Sequence, residues 1–141
     1  MNDLPNYVNR RIAFIGELCL LRDFDRFEVE YLQDMAVKGE RPFWEAIQHI
    51  CREQTKHFIL KIAEKCAELV EGGLKELGDN PLELKHSMAM TGIVEHYMIS
   101  LCALELAQYE NAELYKRVNS CAEHALACLS AVIPLRDDVV Q

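Results

Sequence analysis

Apolar residues recur along this chain three and four positions apart. They fall at Val8, Ile12, Ile15 and Cys19, and again at Phe24, Phe27, Tyr31 and Met35. That period places them on one side of a helix. The polar segment RDFDR (22–26) interrupts the run, so the pattern predicts a first helix kinked or split there, and KGERP ends it. Asp3 is placed to cap this helix, with Pro5 in its opening turn.

A second helix opens at Pro42. Its apolar series is Trp44, Cys51, Thr55, Phe58, Ile62, Cys66 and Leu69, a sustained heptad-like seam. Phe43, Ile47 and Ile50 widen that face, and Gly72-Gly73 reads as a stop signal. In GDNPLE, Asn80 can cap a third helix, Pro81 takes its first position, and Glu83 completes something close to a capping box. The third helix runs through Leu106, with a main stripe of Met90, Val94, Tyr97, Leu101 and Leu104. AQYEN then makes a tight connection, so helices three and four are expected to be antiparallel neighbours. Helix four carries Leu114, Val118, Cys121, Ala125, Cys128 and Val132, and Pro134 ends it.

No β-branched, alternating segment bounded by turn residues is found, which is what a strand needs. The prediction is an all-α fold: a single four-helix bundle domain over 1–141, either ferritin-like or simple up-down. A ferritin order needs a crossover between helices two and three. Spanning a helix of about 25 residues, roughly 37 Å, takes about 11 extended residues. Residues 72–80 supply nine, so both orders stay open unless helix two stops early.

Composition narrows the function classes. The chain has 141 residues, half of them apolar and 27% charged, enough for one domain with a real core. A net charge of −8 argues against a nucleic-acid backbone or an anionic membrane surface as partner. No window reaches the roughly 18 apolar residues of a membrane span. MNDLPNYVNRR lacks the pattern of a signal peptide, so a cytoplasmic location is expected. The six cysteines form no CxxC and sit among aliphatic residues, so they read as reduced thiols.

Candidate chemistry centres on VEHYM (94–98). Helix three is apolar nearly all round: the neighbours of Glu95 include Thr91, Met98, Ile99 and Cys102. Either the helix is central or a second subunit covers it, and a homodimer through helix three is expected. A carboxylate there is costly to desolvate unless it is paired or bound to a metal. Di-metal bundle sites take one Glu from each of two helices and a Glu-x-x-His from each of the other two. Only fragments of that pattern are present. Helix one offers Glu28 or Glu30, and helix two offers Glu53 and His57. Helix three has Glu95 with Met98 at the second ligand position, and helix four has Glu123 with Leu126. A degenerate centre is therefore expected, or a single iron or other divalent ion on Glu53, His57 and Glu95. Separately, Cys121, His124 and Cys128 fall at i, i+3 and i+7 and would suit a soft metal. Arg117 and His124 resemble the nuclease pair of the HEPN helical bundles. No nucleophile elbow, phosphate-binding loop, dinucleotide fingerprint or HExxH is present.

The C-terminal half resembles the YciE/YciF type of ferritin-like helical proteins. The likeness runs through KCAELVEGGLKEL (65–77), VEHY (94–97), ALELAQYENAELYK (103–116) and the Glu123-His124 step. Glu53-Gln54-Thr55 loosely matches an acidic segment of that family. The resemblance implies a ferritin-like or related bundle, commonly dimeric and linked to stress responses. Met98 stands where the family has a further acidic residue, and SCAEH keeps only Glu123 of an acidic run, so the implied ligand set is incomplete. A third reading is an adaptor that presents a bundle groove to another protein.

Overall fold

The computed structural model describes residues 6–77 and 84–132, and among these no strand occurs. The helices are α1 (Asn6–Leu21), α2 (Arg26–Lys38), α3 (Glu40–Cys51), α4 (Thr55–Leu77), α5 (Leu84–Ala107) and α6 (Ala112–Val132), with a 3-10 turn at Arg52–Gln54 joining α3 to α4. Asp3, Pro5, the Asn80–Glu83 segment and Pro134 lie outside the described residues.

RDFDR splits the first predicted helix, as its polarity demands. The Asp25 carboxylate accepts from the Glu28 N–H at 2.8 Å, and the Glu28 carboxylate accepts from the Asp25 N–H at 3.0 Å. This reciprocal capping box starts α2. Asn111 caps α6 with a single bond, its side-chain oxygen accepting from the Leu114 N–H at 2.8 Å.

Two boundaries differ from expectation. The second predicted helix breaks at Arg52, whose φ of 55° is the one positive value at a non-glycine position among the described residues. The middle of the seam survives the break, with Cys51, Thr55, Phe58, Ile62 and Cys66 buried, while Trp44 is half-buried and Leu69 is 40% exposed. Gly72-Gly73 does not stop α4, which continues to Leu77. Gly73 instead permits close approach, because a Cβ there would lie 2.8 Å from Ile93 Cγ1 of α5, whereas Gly72 faces open space. Gly72→Ala is therefore expected to stabilise the protein by about 0.5–1 kcal/mol through helix propensity. Gly73→Ala should forfeit that gain because Ile93 must shift. Urea midpoints of the two variants check this, and equal gains would mean that α4 and α5 are not so tightly apposed.

The register of α4–α6 follows from side-chain pairs. Gly73 opposes Ile93 and Cys66 neighbours Cys102, so α4 and α5 are antiparallel. Glu64 faces Arg117 and, seven residues on in each helix, Glu71 faces His124, so α4 and α6 are parallel. The three helices run up, down, up, and no crossover separates α4 from α5. The main core draws on every helix, through side chains such as Phe14, Leu32, Phe43, Ile59, Leu106 and Val118. Each such Phe or Leu contributes roughly 1.5–3 kcal/mol by leaving water. A smaller cluster of Val70, Leu74, Leu77, Ile93, Ala125 and Leu129 seals the other end of α4–α6. The α2–α3 hairpin is tied to the α5–α6 turn: Tyr109 donates to Glu40 at 2.7 Å, and Trp44 donates to Glu110 while stacking on Tyr109.

α5 is rotated relative to its predicted stripe. Its buried line is Ile93, Ile99, Cys102, Ala103, Leu106 and Ala107. Met90, Tyr97, Leu101 and Leu104 are only half-buried and Val94 is 39% exposed. Among the described residues, no helix is long and apolar enough to cross a membrane.

Candidate functional site

The predicted oxygen ligands are dispersed. Glu28 is engaged in the α2 cap and reaches Arg22 at 3.4 Å. Glu53 lies in the 3-10 turn and His57 in the first turn of α4, both exposed. Glu95 is also exposed, in a shallow recess with Asn9, Arg10, Ala13 and Met98. Since Ile93 is level with Gly73, Glu95 stands about four turns from His57 along the α4 axis, roughly 20 Å. Glu123 is exposed on α6. Among the described residues no three His, Cys, Asp or Glu side chains converge to hold an ion. These residues do not fit a carboxylate-bridged iron or other divalent centre, and Glu95 is not the desolvated carboxylate that its sequence context predicts.

On α6, His124 Nε2 lies 3.1 Å from Glu71 Oε1 and 3.8 Å from Cys128 Sγ. Both contacts use one nitrogen, so the three groups do not form a relay in which the imidazole bridges thiol and carboxylate. Cys121 faces Glu64, Glu68 and His124 along the α4–α6 groove. Its thiol is pushed up by burial and then by Glu64, which disfavours the thiolate a soft metal requires. Arg117 reaches Glu64 at 4.0 Å. Arg117 and His124 thus form two rungs, a heptad apart, that pin α6 to α4. The His124 hydrogen bond, followed by Lys75, holds the Glu71 carboxyl below its usual value. A carboxyl lowered on folding contributes stability above its unfolded pKa and loses it as pH falls through the folded value. Glu71→Gln should therefore flatten the acid limb of a melting-temperature profile taken from neutral pH to below pH ~4. An unchanged acid limb would assign that limb to other carboxylates.

The desolvated carboxylate is Glu105, ten residues further along α5 and only 8% exposed. It accepts from Arg11 Nε at 2.9 Å and from Arg10 Nη2 at 3.0 Å. Arg11, itself buried, also donates from Nη1 to the Ala36 carbonyl at 3.0 Å. That carbonyl belongs to the last turn of α2, where no intrahelical donor remains. One charge cluster thus joins α1, α2 and α5, and Arg10 completes it by stacking over Tyr7 at 4.4 Å. The sequence signal was an adjacent Arg pair inside an amphipathic run, together with a lone Glu in ALELA.

All six cysteines are free thiols. Burial pushes Cys51 up to about 11 and Cys66 up to about 12, and holds the Cys102 thiol well above its ordinary value. These three stay protonated and unreactive near neutral pH.

The outward face of α5 carries exposed apolar side chains. Met88 is 82% exposed and Val94 is 39% exposed. Met98, Leu101 and Leu104 continue the strip half-buried, with Tyr7 and Tyr115 beside its far end. No protein-family model matches this chain, and no curated protein or solved structure matches it.

Proposed function

We propose that this chain is a four-helix bundle of α1, α4, α5 and α6, braced by the α2–α3 hairpin, that acts as a homodimeric scaffold joined through α5. The carrying observation is the outward strip of α5. Thr91, Val94, Met98 and Leu101 repeat at the three- and four-residue spacing of a helix–helix seam. The strip is also self-complementary. Two antiparallel copies crossing near His96 set Val94 against Met98 of the second copy, Thr91 against Leu101, and Met88 against Leu104. Residue i thus meets j and j meets i at each level, as a two-fold interface requires. The exposed Glu95 then falls at the rim, where charges remain hydrated. The up-down-up order of α4–α6 supports a simple bundle over a ferritin order. Sedimentation velocity at micromolar concentration tests the reading: a dimer is expected, and a stable monomer would overturn it.

A further inference from the structure

The cleft between α2 and the end of α3 carries chemistry that the scaffold reading does not use. It measures about 790 Å³ and is lined by Arg22, Asp25, Phe27, Tyr31, His49 and Arg52, among others. We infer that it is a binding site for a small phosphate monoester bearing a flat ring, of the nucleoside monophosphate kind. Its volume lies within the range of small-molecule sites.

The polar end of the cleft sets the Arg22 and Arg52 guanidiniums against the Asp25 and Glu28 carboxylates, so its formal charges balance. Asp25 and Glu28 are committed to each other in the α2 cap, and the second oxygen of Glu28 goes to Arg22. That ion pair is 3.4 Å long, beyond the usual length of a charge-assisted bond, while Arg22 Nη1 is buried without a partner and offers no donor to the cleft. Arg52 and His49 make no hydrogen bond or ion pair among the described residues, which leaves a guanidinium and an imidazole uncommitted. Guanidinium groups bind phosphate through paired, planar donors. Arg52 is also the residue held at a φ of 55°, a backbone strain that a glycine would relieve. Strain kept at a cleft rim fixes where that guanidinium stands.

The other wall is aromatic. Phe27 is 80% exposed and Tyr31 is 42% exposed, four residues apart on one side of α2. Their helical spacing reads as core, yet Leu32 and Ala36 take the core positions of this helix. The two rings are left as a ledge on which a flat ring can stack. A phosphate without a ring would leave the ledge unused, and a ring without a phosphate would leave Arg52 unpaired.

Calorimetric titration of the full chain tests the site, with adenosine monophosphate, inorganic phosphate and adenosine as separate probes. Adenosine monophosphate should bind saturably and about tenfold or more tighter than either fragment. Phe27→Ala should weaken that binding roughly tenfold, as loss of a stacking surface does. Arg52→Gly should weaken it by a similar factor while raising the melting temperature, so lost affinity cannot be ascribed to poor folding. No saturable binding, equal affinity for phosphate alone, or unchanged affinity in both variants would overturn the proposal.

Discussion

Replacing Glu105 with alanine is expected to destabilise the protein by about 3–5 kcal/mol, the usual effect of removing one partner from a buried ion pair. The carboxylate is the anchor for two guanidiniums, and Arg11 has no route to water in its place, being 6% exposed. Domain stabilities run to only about 5–15 kcal/mol, so the loss would be a large fraction of the total. At about 3 °C per kcal/mol for a chain of this size, the melting temperature should fall by about 10 °C or more. Urea unfolding at fixed protein concentration measures the change as a shifted midpoint at constant slope. The triple variant Arg10→Met, Arg11→Met, Glu105→Leu should recover part of the loss, because apolar side chains of similar volume often replace a buried ion-pair cluster, while the Ala36 carbonyl still loses its donor. A single-variant loss below about 1 kcal/mol would mean that water reaches the cluster and solvates the arginines.

If the chain pairs through α5 as proposed, Met98→Glu is expected to convert that dimer to a monomer. Met98 sits mid-strip on the outward face of α5 and is only half-buried within one chain, so the isolated fold has room for the carboxylate. In the paired state that carboxylate would be pressed against Val94 of the second copy, twice per dimer because the interface is two-fold. Burying an uncompensated charge costs several kcal/mol, and each ~1.4 kcal/mol is tenfold in affinity, so dissociation should strengthen by about 100-fold or more. Sedimentation reads the change, while circular dichroism should be unaltered. A variant that still dimerises with parental affinity would move the interface elsewhere on the molecule.

Features set by neighbouring residues were the most legible in the sequence. The break at RDFDR is an Asp25–Glu28 capping box, and both of its partners lie within three positions of each other. The heptad seam from Cys51 to Cys66 is buried as its spacing predicts, even though a 3-10 turn crosses it. The turn itself left no mark, since Arg52 adopts a glycine-like φ without a Gly or Pro nearby. Gly72-Gly73 misled for the opposite reason: a glycine needed for close packing looks the same as one that ends a helix. On α5, apolar residues occupy nearly every side, so the period alone cannot say which side faces α4 and α6. The buried carboxylate was missed at Glu105 and expected at Glu95 because burial there depends on two arginines more than ninety residues away. The aromatic ledge followed the same rule, as Phe27 and Tyr31 have core spacing but lost the core positions to Leu32 and Ala36.

The span from Arg11 to Glu105 has a consequence for how the molecule is made. Ninety-four positions separate the two partners. During translation, α1 leaves the ribosome with both arginines long before the carboxylate that will neutralise them has been synthesised. The same arginine bonds the last turn of α2, a contact within the early third of the chain. Loop closure over such a separation is slow compared with local helix formation. The Arg10 and Arg11 ion pairs can therefore close only after α5 has left the ribosome.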